Sequence, residues 1–171
     1  MKKSIFAAAI AFAAISTSTF ASDLSVSGGI SNVSMDDIDL SLNVVTAGLG
    51  STYDINDSFS VMPEVRIGTG LGDDEMNWEG LTADVEIDRF LALSVRANYQ
   101  VNDKVTLYVQ PTYAELKVTA SAMGAEASES GWEFGGGLGL NYAFSKQSSV
   151  DVQYERFSDT DVVGVAYRYS F

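Results

Sequence analysis

The chain has 171 residues, with 10 basic against 23 acidic side chains for a formal charge of −13, and it contains neither histidine nor cysteine. Without histidine there is no Ser-His-Asp triad, no His-based metal site and no imidazole acid–base chemistry. Without cysteine no disulfide can form, and the acid excess with no basic stripe excludes nucleic acid binding.

Lys2 and Lys3 precede an apolar run from Ile5 to Ile15, and the polar stretch after it closes on Thr19-Phe20-Ala21. A basic start, a short apolar segment and small residues before a cut form a secretory signal. The run is well short of the roughly 20 residues a membrane-spanning helix needs. We expect residues 1–21 to be a signal peptide cleaved after Ala21, and residues 22–171 to form one domain. Loss of Lys2 and Lys3 leaves 8 basic residues and a formal charge of −15.

After the leader the chain reads as strands. Eight are expected, at roughly 23–32, 41–53, 59–69, 85–101, 105–117, 132–144, 149–157 and 161–171. The first two are blurred by Gly28, Gly29, Gly48 and Gly50. On the third, Phe59, Val61, Pro63, Val65 and Ile67 share one face, opposite Ser60, Met62, Glu64, Arg66 and Gly68. The fourth sets Leu91, Leu93, Val95, Ala97, Tyr99 and Val101 against Ala92, Ser94, Arg96, Asn98 and Gln100. The sixth sets Phe134, Leu138, Leu140, Tyr142 and Phe144 against Glu133, Gly135, Gly137, Gly139 and Asn141. This period of two marks strands with two different faces. Pro63 and Pro111 cannot donate to a ladder, so bulges or unpaired positions are expected there.

A repeat orders these strands. Tyr53-Asp54-Ile55-Asn56-Asp57 matches Tyr99-Gln100-Val101-Asn102-Asp103, and a looser copy begins at Tyr142-Ala143-Phe144-Ser145. Each is an aromatic strand end followed by a short polar turn, in which Asn and Asp bond to the backbone. Between the tight turns lie longer polar connections near Val33–Leu40, Gly70–Asp84, Val118–Gly131 and Phe157–Asp161. Short turns alternating with long connections form the pattern of an up-and-down membrane barrel. Tyr53, Phe59, Tyr99, Tyr142, Phe144 and Phe171 would ring the short-turn end, and Tyr113, Trp132, Phe134 and Tyr154 the other. The last strand places Val163, Val165, Tyr167, Tyr169 and Phe171 on one face and Gly164, Ala166, Arg168 and Ser170 on the other. A soluble sandwich or lipocalin-like barrel with its apolar faces inward shares the alternation.

With this ending, the turn repeats and the leader, residues 22–171 resemble the small eight-stranded outer-membrane barrels: the OmpA-type transmembrane domain and OmpX-like proteins. The resemblance implies an all-β, antiparallel up-and-down transmembrane barrel in the outer membrane, in contact with its lipid. It also implies that Tyr167, Tyr169 and Phe171 are recognised by the barrel-assembly machinery, and that the protein is a monomer. Barrel enzymes of this kind carry a catalytic histidine, which this chain lacks. A Ser–Lys dyad around Lys117 or a paired-carboxylate site remains open, but no catalytic, cofactor-binding or metal residue is assigned.

The inward parity collects Glu64, Arg66, Arg96, Glu133, Asp151, Glu155 and Arg168. Charges inside a narrow barrel must pair, and an eight-stranded interior is filled by side chains. A salt-bridged plug is therefore expected, with Gly135, Gly137 and Gly139 leaving room for Tyr108, Gln110 or Gln153. A small cation or solute path lined by surplus acid is the alternative, and a soluble periplasmic barrel that binds a small apolar ligand is the second. The four long connections hold twelve acidic residues and no Lys or Arg, so a uniformly negative rim is expected. Asp36-Asp37-x-Asp39 and Asp73-Asp74-Glu75 are weak divalent-cation patches without the spacing of a calcium loop. No surface partner can be named from the residues.

Overall fold

The computed structural model describes residues 22–35, 40–78, 81–122 and 125–171. The expected leader, with its cut after Ala21, lies outside them, as do Asp36, Asp37, Asp39 and Glu79. Nine antiparallel strands run in chain order: β1 (Ser22–Met35), β2 (Leu40–Asp54), β3 (Phe59–Gly70), β4 (Asp73–Trp78), β5 (Leu81–Asn102), β6 (Val105–Ala122), β7 (Ala125–Ala143), β8 (Ser148–Phe157) and β9 (Thr160–Ser170). Each main barrel strand pairs with its neighbours in order, β3 pairs with β5, and β9 pairs with β1, from Ser25 opposite Ser170 to Met35 opposite Thr160. Eight strands thus close an all-β barrel, as expected, and no helix occurs among the described residues. β4 stands outside the closed ring as the partner of the far end of β5.

The tight turns form as the repeat predicts. Asn56 Oδ1 accepts the N–H groups of Ser58 and Phe59, both at 3.0 Å, and Asn102 Oδ1 accepts those of Lys104 and Val105 at 2.9 and 3.1 Å. In the third copy Ser145 Oγ takes the same role toward Gln147 and Ser148, at 3.3 and 3.0 Å. The chain end is tied down at the same rim, where the Phe171 N–H donates to the Leu24 carbonyl at 2.9 Å.

The opposite end departs from expectation. Gly70–Asp84 and Val118–Gly131 are largely strand, because β4 with β5 and β6 with β7 continue as two-stranded arms. Phe157–Asp161 is a tight turn, with Phe157 facing Thr160 across two residues. Backbone pairing needs only a partner strand, so the ladder runs on where the side chains turn polar. Gly72 marks the step from β3 to β4 with a φ of 100°, in the left-handed region that glycine adopts without a steric penalty.

Neither proline makes a bulge, but each sits at an unpaired row. The β2–β3 ladder skips from Gly50–Glu64 to Tyr53–Val61 with register kept, and the β5–β6 ladder skips from Ser94–Thr112 to Ala97–Val109. Each proline thus falls where a missing N–H disturbs nothing. The bulges lie elsewhere on β5, between Ile87 and Arg89 and between Gln100 and Asn102.

Every barrel strand turns apolar side chains outward. Ile30, Leu49, Ile67, Val95, Val109, Leu138, Val152 and Val165 are all exposed, one from each strand of the ring. A soluble barrel would put these residues inside, so the inward-facing alternative fails. Ring contacts mark the two aromatic girdles: Phe59 with Tyr99 at 5.0 Å and Phe144 with Tyr167 at 6.1 Å near the turns, and Tyr113 stacked on Trp132 at 4.9 Å near the other end.

Candidate functional site

The lumen has three levels. At mid-height three arginines and three carboxylates form one network, each side chain at most 6% exposed. Arg66 holds Glu155 through two bonds of 2.7 and 2.8 Å, and Thr112 donates to the same carboxylate at 2.7 Å. Arg168 reaches Glu64 at 2.6 Å, Asp151 at 2.9 Å and Ser25 Oγ at 3.0 Å. Arg96 meets Glu64 and Asp151, both at 3.1 Å, and lies over the Tyr108 ring at 4.3 Å. The six charges cancel. Burying each one alone would cost several kcal/mol, so their mutual pairing is what allows them inside.

Six of the seven inward charges expected from parity therefore come together, and Glu133 does not. It shares the parity but is exposed, because β8 is paired with β7 only up to Gly136 opposite Arg156, below the level of Glu133. The fourth carboxylate of the expected list is thus absent from the network, and the surplus acid proposed to line a cation path is missing at mid-lumen.

Glycines on β7 make the room for this layer, with one partner predicted and two not. A Cβ at Gly139 would stand 2.4 Å from the Tyr108 ring end and 2.6 Å from the Val152 carbonyl. At Gly137 the close side chain is Glu155, and at Gly135 it is Phe157. Gln110 and Gln153 are instead the cross-strand neighbours of Gly137 and Gly139.

Below the network, toward the turns, lies a polar cavity of about 200 Å³ lined by residues such as Asn98, Thr106, Asn141 and Ser149. Above it the interior becomes apolar, a change that was not anticipated. Val33, Leu42, Val44, Val85, Ile87, Phe90, Phe157 and Val162 are buried there as one cluster. Val33, Val85, Phe90, Phe157 and Val162 of this cluster border an open cavity of about 630 Å³ that also reaches Leu116, Val118, Ala120, Glu129 and Glu133. Arg66 and Glu155 line neither cavity and stand between them.

The bulge at Asp88 produces part of this apolar lining. Below it the even-numbered residues of β5 face inward (Ala92, Ser94, Arg96); above it the odd-numbered Ile87 and Val85 do. One extra residue exchanges the faces of a strand. Unbroken parity would turn Glu86 into the mouth. On β6 the signal was available in the sequence, since Leu116, Val118 and Ala120 continue the inward parity of Tyr108, Gln110 and Thr112.

The outer face near this rim is not uniformly negative. Lys117 pairs with Asp88 at 2.7 Å, Arg89 with Glu115 at 2.8 Å, and Arg156 with Asp161. Lys117, the residue considered for a Ser–Lys dyad, is thus engaged with a carboxylate on the outside of the wall. That hydrogen bond, with a second from Thr119, holds the Asp88 carboxyl below its ordinary range. The Tyr154 hydroxyl donates to Asp161 at 2.6 Å, and this bond lowers the Asp161 carboxyl. Among the described residues no group of three or more Asp, Glu, His or Cys side chains could hold a metal ion. The backbone of Asp73-Asp74-Glu75 lies on β4 opposite Glu86, Val85 and Asp84.

The family model for the outer membrane protein beta-barrel domain matches residues 4–171. No curated protein matches in sequence. Among solved structures, the attachment invasion locus protein Ail of Yersinia pestis superposes with a TM-score of 0.64 at 21% identity, covering 88% of this chain and 97% of that one. The N-terminal β-barrel domain of Pseudomonas aeruginosa OprF gives 0.62 at 12% identity, with 87% and 97% covered. Neisserial surface protein A gives 0.54 at 11% identity, with 88% and 97% covered. At these identities the structures share the fold.

Proposed function

This chain belongs to the outer membrane protein beta-barrel domain family, and from that premise we propose that it is a closed, non-conducting barrel with a structural or surface-interaction role and no catalytic one. The observation that carries this reading is the neutral six-residue network across the lumen, centred on Arg66–Glu155. A conducting pore needs a continuous wet path, and paired side chains that fill an eight-stranded interior leave none. On this reading the apolar outer belt contacts membrane lipid, and the long arms project outside the cell. Tyr167, Tyr169 and Phe171 serve as the segment the barrel-assembly machinery recognises, and the barrel acts as a monomer.

Ail has also been solved with the heparin analogue sucrose octasulfate. Capture of such a polyanion does not carry over, because the connections at the open end hold acidic residues and no Lys or Arg. The surface role is instead one toward neutral or cationic partners.

Liposomes reconstituted with the folded protein test the closed state. Their swelling rate in small sugars should equal that of protein-free liposomes. A rate rising in proportion to the protein added would reject a structural role and restore the solute-channel reading.

A further inference from the structure

The apolar cavity above the network is a built pocket that closure of the lumen does not require. Its volume of about 630 Å³ falls in the range of about 300–1,000 Å³ typical of small-ligand sites. Its floor is Phe90, whose ring lies 5.9 Å from the Arg66 guanidinium, so the base of the pocket is closed by the plug. Its wall is aliphatic and aromatic, from Val33 and Val85 to Phe157 and Val162. Its charged groups lie on the upper part of β7, where Glu129 and Glu133 line it together with Ser128 and Ser130, and Thr160 adds a hydroxyl from β9. Among the described residues no lysine or arginine lines it.

We infer that this mouth is a binding site for small hydrophobic cations: molecules with one alkyl or aromatic body and a single ammonium group. The body enters the aliphatic wall and leaves water, the driving force for apolar binding. The ammonium stays at the rim beside Glu129 and Glu133, where a carboxylate favours a cation and repels an anionic amphiphile of equal size. Phe90 at the floor completes the apolar depth. The bulge at Asp88 belongs to the same design, because it turns Val85 into the pocket in place of Glu86. The inference goes beyond the closed-barrel reading and uses the plug only as a floor; conductance tests that reading, and binding tests this one.

The test is methyl NMR of the folded barrel in zwitterionic nanodiscs, titrated with hexyltrimethylammonium and, separately, with hexanesulfonate below their micellar concentrations. Saturable shifts should appear at Ala114, Ala120 and Val118 and stay absent from Ala47 and Ala97 on other parts of the wall. The cation should bind about tenfold or more tightly than the sulfonate. Glu129→Gln with Glu133→Gln should erase that preference while keeping apolar binding. Filling the pocket through Ala120→Phe, or through Val118→Trp should the first variant fail to fold, should abolish the shifts. No saturable shift, equal or tighter sulfonate binding, or unchanged binding in a folded filled variant would each overturn the assignment.

Discussion

Arg66 and Glu155 stand on β3 and β8, strands separated by four steps in either direction around the ring, and they meet in two parallel bonds of 2.7 and 2.8 Å. The pair therefore spans the full width of the barrel. Arg96–Asp151 and Arg168–Glu64 also tie strands that are not neighbours. The lumen is cross-braced as well as filled.

Breaking this brace on one side leaves a buried charge without its partner. Glu155→Gln should destabilise the folded barrel by about 3–5 kcal/mol, because Arg66 remains desolvated. The double variant Arg66→Met, Glu155→Met should recover most of that loss, since apolar replacements of similar size remove both desolvation costs together. Urea unfolding in lipid vesicles, followed by Trp fluorescence, measures both.

Gly139 should resist any side chain. A Cβ there would meet both the Tyr108 ring and the backbone carbonyl of Val152. Gly139→Val is expected to cost about 1–3 kcal/mol, the usual range for overpacking. Tyr108→Leu should relieve only part of it, because the carbonyl stays in place. The same unfolding assay reads the difference between the single and double variants.

The Asp88 bulge can be read by spin labelling. A label on a cysteine at position 87 should be immobile inside the mouth, and one at position 86 mobile on the outer face. Deleting Asp88 should leave the two mobilities as they are, since Ile87 then follows Arg89 in unbroken alternation and keeps its inward face. Exchanged mobilities in the deletion variant would show that Asp88 is not the extra residue that sets the face.

Asp161 gives the rim a pH response. Its carboxyl is lowered by the Tyr154 hydroxyl and Arg156, so the folded state binds this proton less readily than the unfolded chain. The stabilisation is complete above the ordinary value of 3.8 and is lost as pH falls through the lowered folded value. Carboxyl NMR should show the β8–β9 turn resonances unchanged from neutral pH to about 4 and shifting below it. Asp161→Asn should remove that transition.

Much of this architecture is legible in the residues. Alternation in β3, β5, β7 and β9 assigns the two faces, and the three turn copies anchored on Asn56, Asn102 and Ser145 assign strand order. The charges on the inward parity then identify the plug. Other features depend on relations between strands. Glu133 is exposed because the neighbouring β8 is short, which its own surroundings do not reveal. The arms beyond Val118 read as loops because their side chains are polar, yet their backbones still find partners. A single bulge at Asp88 reverses a face, and with it turns part of an expected acidic mouth into an apolar one.

Single-channel recording of the pure, folded protein in planar bilayers tests the central claim most directly. The braced, neutral lumen predicts no steady conductance at either polarity, and Glu155→Gln should at most add brief, irregular openings. A steady, cation-selective conductance from the unaltered protein would contradict the account.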